Sequence, residues 1–292
     1  MTRTAAFQLT AIGGPWARRL ARRRGWIDDL PWAEPLPQDA AAARLVWTRT
    51  AFSEYASAAA FAEIAAALLA AGAPIDLIAA AGDFVVDEIV HTEVAARLAA
   101  ALGGAVALEV DLTRLVRPVT AAAAGDPLLR AAELVVRTSC VGEALTVPML
   151  KLARRTAGAP LIEAALTAII ADEASHAQLG WWFLDWAAPR LDDDARAGLG
   201  RVAGAAIRSF APLLGGGCQG SGLGALACDR YDRGLVTALP RAVVRPLALR
   251  GIAIPGDDLA GIERSPERRA PARGAGTSEV RDPRNEMTGE AG

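Results

Sequence analysis

The chain has 292 residues, 52% of them hydrophobic and only 5% aromatic, and its formal net charge is −2. This length suits one large domain or two small ones, and the near-neutral charge excludes general nucleic-acid binding. Alanine and leucine dominate, which favours helices over sheets. The three cysteines, Cys140, Cys218 and Cys228, form no CxxC pair. We therefore expect no disulfide framework and a reducing, cytoplasmic setting.

Residues 1–40 are expected to form an N-terminal arm. An arginine cluster from Arg18 to Arg24 precedes a proline-rich stretch. We interpret these arginines as a solvated face, with an amphipathic membrane-surface or partner helix as the alternative. The acidic residues between Gly25 and Pro37 do not fit the apolar core of a signal peptide. Because no apolar run reaches the ~18 residues that a membrane-spanning helix needs, no integral membrane segment is expected.

Residues 41–188 are expected to form four long helices. The first two are separated by Gly72 and Pro74, and the last two by Gly158 and Pro160. Such short turns make the helices of each pair antiparallel neighbours. A longer connection from residue 103 to 126 joins the two hairpins. The pattern predicts an all-α protein with a four-helix bundle and one long crossover.

The remainder of the chain is expected to form two further helices and a tail. Residues 189–260 predict a C-terminal helical extension, with one helix capped near Asp192 and another between Leu223 and Leu239. A glycine-rich loop from Gly215 to Gly222 separates them. Residues 261–292 are charged, rich in glycine and proline and poor in apolar residues. That composition is typical of a disordered tail.

The chemistry is concentrated around the two histidines of the chain. Each belongs to the same pattern, Asp-Glu-x-x-His, at residues 87–91 and 172–176. Residues three apart share a helix face, so Glu88 and His91 can reach one point, as can Glu173 and His176. Carboxylate and imidazole together suit iron, manganese or zinc. Burying these charges in apolar helices is costly unless they are paired or bound to metal.

The partner helices should each supply one more carboxylate. In an antiparallel hairpin, residues equally far from the turn lie level with each other. Glu143 is level with Glu173. Glu54 and Glu63 are the candidates opposite Glu88. Glu54 is preferred because it lies closer to the level position, and Glu63 is interpreted as a peripheral acid.

This ligand order resembles that of the ferritin-like di-iron carboxylate superfamily. The resemblance covers about half of the chain, from Arg44 to Ala188, and is specific to the superfamily rather than to one member. It implies a centre of two iron ions, with Mn/Fe or Mn/Mn pairs as alternatives. It further implies that Glu88 and Glu173 bridge or chelate the metals, that His91 and His176 bind one metal each, and that Glu54 and Glu143 are terminal ligands.

The resemblance extends to residues outside the ligand set. In the oxygen-activating members, the aspartate of one motif orients the histidine of the other, which pairs Asp87 with His176 and Asp172 with His91. Thr146 lies three residues after Glu143, near the place where related desaturases and hydroxylases use a threonine to assist proton delivery. Ribonucleotide reductase small subunits usually carry a radical tyrosine four residues after the first histidine. Ala95 stands there, which argues against that role.

These features predict a di-iron oxidase or oxygenase that uses O₂ on a small organic substrate. The alternatives are a ferroxidase or iron-handling protein and a non-catalytic helical protein stabilised by metal. Further partners would be an electron donor and a second copy of the chain in a homodimer. An oxygenase should contain an apolar cavity of roughly 300–1,000 Å³ beside Cys140, Glu143 and Thr146. A ferroxidase needs only a narrow polar route for Fe(II). Pro148 should disturb the third helix near Ala144 by removing a hydrogen bond.

Overall fold

A computed structural model describes residues 4–23, 25–37, 40–115, 118–210 and 222–263. In this part the chain is predominantly helical, which confirms the all-α class. The helices in chain order are α1 (Gly14–Ala21), α2 (Gly25–Asp28), α3 (Ala41–Ala70), α4 (Ile75–Ala101), α5 (Ala121–Gly125), α6 (Pro127–Val135), α7 (Ala144–Arg154), α8 (Pro160–Ala187), α9 (Asp193–Arg208), α10 (Cys228–Leu239), α11 (Arg245–Ala248) and α12 (Gly256–Glu263). The predicted glycine-rich loop and most of the predicted tail lie outside the described residues.

The long helices form two hairpins. Helix α3 packs along α4, and α7 packs along α8. Gly72 and Gly158 stand at the two turns with φ of 62° and 70°, a left-handed conformation that only glycine adopts without strain. The hairpins meet where α4 packs against α8, while α6 packs against both α3 and α8.

The third long helix of the sequence prediction is interrupted. Asp126 caps the start of α6 by accepting hydrogen bonds from the amides of Leu128 and Leu129. After α6 the backbone changes to a π-helix over Val136–Glu143, and α7 follows directly. Pro148 has no N–H for the carbonyl of Ala144. The predicted disturbance near Ala144 therefore coincides with the end of the π-helix.

Two apolar clusters fill the core, and a polar layer separates them. Along α4, Phe84 belongs to one cluster and Val94 to the other, with Glu88 and His91 between them. Along α8 the order is reversed, because Ile169 precedes Glu173 and His176, and Leu179 follows them. The antiparallel hairpins thus bring the polar residues of both helices to one level.

The N-terminal arm is structured and contacts the helices. Strand β1 (Ala5–Ala6) pairs antiparallel with β2 (Glu109–Val110) in the long connection. Phe7 then packs edge-on against Phe52 and Tyr55 of α3, at ring distances of 5.2 and 5.5 Å. The arm is therefore fixed to both the connection and α3.

Two further features bear on the setting of the protein. Cys140 is a free, buried thiol, whereas Cys228 is disulfide-bonded and Cys218 lies outside the described residues. The sequence predicted no disulfide framework, and the disulfide at Cys228 was not expected. Within the described chain, α3 has the length and composition of a membrane-crossing helix. Core helices of soluble proteins have both properties too, and α3 packs along α4.

Candidate metal centre

The two Asp-Glu-x-x-His motifs meet inside the protein. Glu88 and His91 lie on α4, and Glu173 and His176 lie on α8. All four side chains are at most 1% exposed. Removing charged groups so completely from water is costly unless other charges compensate. The contacts among these four side chains must therefore offset the free-energy cost of burying them.

The two carboxylates lie between the two imidazoles. His91 Nδ1 is 3.2 Å from Glu173 Oε1 and 3.8 Å from Glu88 Oε2. His176 Nδ1 is 3.0 Å from Glu173 Oε2 and 3.1 Å from Glu88 Oε1. Each carboxylate therefore reaches both histidines, one with each oxygen. That is the position from which a carboxylate can bridge two metal ions.

The outer nitrogen of each imidazole faces an aspartate from the opposite motif. His91 Nε2 lies 3.2 Å from Asp172 Oδ2, and His176 Nε2 lies 3.6 Å from Asp87 Oδ2. An Nε2–H that donates outward leaves the Nδ1 lone pair directed at the centre. His91 Nε2 is within hydrogen-bond distance of its aspartate, whereas His176 Nε2 is buried without a hydrogen-bond partner and only faces Asp87. In both rings Nδ1 faces the centre.

The remaining two carboxylates come from α3 and from the end of the π-helix. Glu54 on α3 joins Glu88, His91 and Glu173 in a group whose ligand atoms all lie within 4.8 Å of one another. Glu143 ends the π-helix and is buried; it lies outside that group but shares a hydrogen bond with Glu173. Glu63 is absent from the group, so the structure brings in Glu54 instead.

The electrostatics of the centre follow from crowding of negative charge. Burial raises the pKa of Glu54 and of Glu143 well above the ordinary value, and the neighbouring carboxylates of Glu88 and Glu173 raise it further. Burial also opposes ionisation of Glu173, but contacts with His176 and His91 outweigh it and lower the pKa of Glu173 to about 2.

The histidines respond in the opposite direction. Burial alone would lower their pKa, yet the surrounding carboxylates raise the pKa of His91 well above its usual value and that of His176 to about 12. Protons therefore supply the positive charge that this cluster of carboxylates demands. A divalent cation could supply the same charge, and its binding would release those protons.

Unsatisfied atoms test whether a metal fits. Within the described part of the chain, both carboxylate oxygens of Glu88 and the Nδ1 of His91 are buried without a hydrogen-bond partner. Glu88 Oε1 is near His176 Nδ1, but the two atoms are not aligned for a hydrogen bond. Buried polar atoms are rarely left unpaired. These orphaned atoms are good metal ligands, and the group can hold a metal ion.

A small cavity of about 190 Å³ reaches the centre from one side. Glu54, Glu143 and Thr146 are part of its wall. Hydroxyl groups and a guanidinium supply most of the other polar lining, from Ser53, Ser57, Arg137, Thr138 and Ser209. The end of α9 and Phe210 cover it.

This cavity differs from the sequence expectation in size, polarity and wall. It is smaller than the roughly 300 Å³ at which small-molecule sites usually begin, and its wall is not apolar. Cys140 does not line it, because a π-helix has more residues per turn than an α-helix, so residues three apart no longer share a face. The Cys140 thiol packs against Gly180 instead, where any added Cβ would lie 2.6 Å from the sulfur.

The π-helix and the arm contact at Asp87 were missed by the sequence reasoning. Gly142 and Pro148 indicate an irregular third helix, but they do not specify that the irregularity is a π-helix. Arg23 donates hydrogen bonds to Asp87 at 2.7 Å and to Asp83 at 3.1 Å. No sequence pattern linked that arginine to the histidine motif.

Comparison with known proteins finds no match. No protein-family model, no curated protein and no solved structure matches the chain. What stands on the geometry alone is a predominantly helical protein with a buried Glu/His group that can bind metal.

Proposed function

We propose that residues 41–188 form a ferritin-like four-helix bundle that binds two iron ions. The observation that carries the proposal is the reciprocal arrangement of Glu88 and Glu173 between His91 and His176. A single structural metal would not need two equivalent carboxylate–imidazole–aspartate sets. The orphaned atoms of Glu88 and His91 support the same conclusion.

The residues divide into two half-sites. Glu88 and Glu173 would be shared, Glu54 and His91 would complete one half, and Glu143 and His176 the other. This division follows the electrostatic contacts, because Glu54 is attracted by His91 and Glu143 by His176. A pair of ferrous ions, when bound, supplies the electrons for reduction of O₂.

We propose an oxidase or oxygenase reaction on a small, polar organic substrate. The contact between Asp172 and His91, which resembles that of the oxygen-activating members, supports this. The cavity beside Glu143 is smaller and more polar than the pocket expected of an oxygenase, so its volume limits the substrate to a few heavy atoms. Thr146, in the first turn of α7, lies on its wall three residues after Glu143. Its hydroxyl can accept and donate a proton there, and we assign it the role of proton donor.

A ferroxidase is the second candidate, and the same cavity fits the narrow polar route expected for it better than the apolar pocket expected for an oxygenase. A narrow, polar opening that ends at the carboxylates of Glu54 and Glu143 would also admit Fe(II). The two functions differ in the fate of iron. An oxygenase retains its two ions, whereas a ferroxidase passes iron through the centre.

Anaerobic loading of metal-free protein with Fe(II), followed by O₂, distinguishes these functions. The proposal expects two irons per chain, oxidation by O₂, and continued O₂ consumption when a reductant and small polar organic compounds are added. Uptake of many irons per chain without an organic substrate would favour the ferroxidase. Metal that is retained without any reaction with O₂ would leave only the structural role. Glu63→Gln is a suitable control, because Glu63 lies outside the ligand group.

A further inference from the structure

A second, larger concavity lies on the outer side of α7 and α8. It has a volume of about 780 Å³ and is closed by α10 and by the chain from Pro240 to Pro246. We call it the outer groove. None of the six proposed ligands lines it. Ala144, Ala174 and Ala177 each follow a ligand by one residue, so they face roughly 100° away from the centre and form part of the groove wall instead.

The floor of the outer groove is apolar. Val147, Leu152 and Trp181 contribute from α7 and α8, and Ala238 and Ala242 from the opposite side. At Gly234, α10 approaches α7 so closely that an added Cβ would lie 2.4 Å from the terminal methyl of Met149. The groove is therefore a formed concavity between packed helices.

Its rim is cationic on both sides. Lys151 and Arg155 project from α7, and Arg230, Arg233 and Arg241 from the opposite wall. No aspartate or glutamate is among the described residues that line the groove. Arg233 is paired with Asp229 at 2.7 Å. The other four are exposed, and no ion pair to any of them occurs within residues 4–263 as far as these are described.

Several like charges around one apolar concavity repel one another and attract anions. The volume lies in the range of small-molecule sites, which are mostly apolar with a few polar groups that fix orientation. We propose that the outer groove binds an anionic amphiphile, with a carboxylate or phosphate head at the cationic rim and an apolar body on the floor. This site is separate from the metal centre and does not depend on the function proposed for it.

Titration calorimetry with the full chain tests the proposal, using decanoate and decyl phosphate as anionic probes, decanol as the uncharged probe and acetate as the chainless anion. We expect one decanoate or decyl phosphate per chain, with affinity at least about tenfold above that of decanol or acetate. The head group that binds more tightly, carboxylate or phosphate, identifies the chemical class of the ligand. Higher salt should weaken anion binding because it screens the rim charges. The result should be the same with and without metal.

Variants locate the site. Arg230→Glu with Arg241→Glu should weaken decanoate binding by at least about tenfold. Arg201→Glu, a surface change on α9 away from the groove, should leave it unchanged. Thr237→Trp fills the groove without altering its charge and should also weaken binding. The proposal fails if decanol binds as tightly as decanoate, or if the Arg201 variant loses as much affinity as the double variant. It also fails if the folded Thr237→Trp protein binds normally.

Discussion

His91 and His176 occupy equivalent positions in two copies of one motif, yet the protein surrounds them differently. The His176 ring packs against Phe84 at 4.3 Å and Phe61 at 5.2 Å, whereas the only ring within comparable reach of His91 among the described residues is His176 itself, at 5.9 Å. The His176 ring therefore packs against an aromatic wall that the His91 ring lacks. The His91 half borders Glu54, which is only half-buried and lines the small cavity.

The aspartates behind the rings differ as well. Asp172 lies closer to its histidine, at 3.2 Å, and its side chain is 37% exposed. Asp87 is 3.6 Å from its histidine, only 19% exposed, and bound by Arg23. Burial alone would raise the pKa of Asp87, but His176 and Arg23 outweigh it and the pKa falls. Arg23 binds Oδ1 of Asp87 and His176 faces Oδ2, so the two share the charge of one carboxylate and each attraction is weaker than it would be alone.

This asymmetry suggests that the two half-sites bind metal unequally. The His91 half has the shorter imidazole–aspartate contact and the compact four-residue group. The His176 half has a guanidinium nearby, which repels a cation, and its Glu143 lies outside that group. We therefore expect the first metal ion to occupy the His91 half.

Removal of a shared carboxylate should have the largest effect. Glu88→Ala and Glu173→Ala each take a ligand from both halves, so we expect loss of both metals and an affinity decrease beyond the roughly 10–100-fold typical of outer partners. Stepwise anaerobic titration with Fe(II) or Mn(II) measures this, with Glu63→Gln as control. Retention of one tightly bound metal in the Glu88 variant would mean that Glu88 belongs to a single half.

Removal of a terminal carboxylate should affect one half. Glu54→Gln should weaken the first binding step and Glu143→Gln the second, because each glutamine keeps the shape but loses the charge. Two-step titrations of the variants, matched by metal content after gel filtration, measure the change. If both variants lost the same step, the assignment of Glu54 to His91 and of Glu143 to His176 would be wrong.

How much the sequence could predict depended on how local each feature was. The hairpins follow from glycine and proline at the turns, and the meeting of the two motifs follows from helix periodicity and equal distance to those turns. The same level argument placed Glu54 rather than Glu63 in the group. These inferences need only regular helices, so they succeeded where the helices are regular.

The features that the sequence missed depend on irregular backbone or distant contacts. The π-helix rotates Cys140 away from the face of Glu143, which changed the predicted cavity wall. The wall of that cavity includes Ser209 and Phe210, far away in sequence. Arg23 reaches Asp87 across 64 residues. No periodicity encodes such contacts, and the arm was interpreted as a solvated face for that reason.

The aspartates should have an intermediate effect. Asp172→Ala removes the closer partner of a ring nitrogen and should weaken metal binding in the His91 half by roughly 10–100-fold. Asp87→Ala should cost less, because Arg23 already draws that carboxylate away from His176. The ratio of the two effects, measured in the same titrations, tests the asymmetry. A variant of Asp172 with wild-type affinity would reject its role, and a larger loss for Asp87 would reverse the comparison.

Arg23 should have the smallest effect, and its sign is informative. Its side chain is 43% exposed, and ion pairs that exposed contribute only about 0–1 kcal/mol, so the change in affinity should stay below about fivefold. Arg23→Ala removes a nearby positive charge and frees Asp87 to accept from His176. Both changes favour a cation, so we expect slightly tighter metal binding in the His176 half and no change of affinity in the His91 half.

Arg22→Ala is the matched control, since the neighbouring arginine is exposed and makes no ion pair with a described residue. The increase should shrink in high salt, and it should become smaller when Asp87 is also alanine, because only the part that acts through that carboxylate is then lost. If Arg23→Ala instead weakened binding of the second metal ion, the main role of Arg23 would be to hold Asp87 in place. The arm would then be released in the variant, and limited proteolysis should cleave it faster than in the wild type.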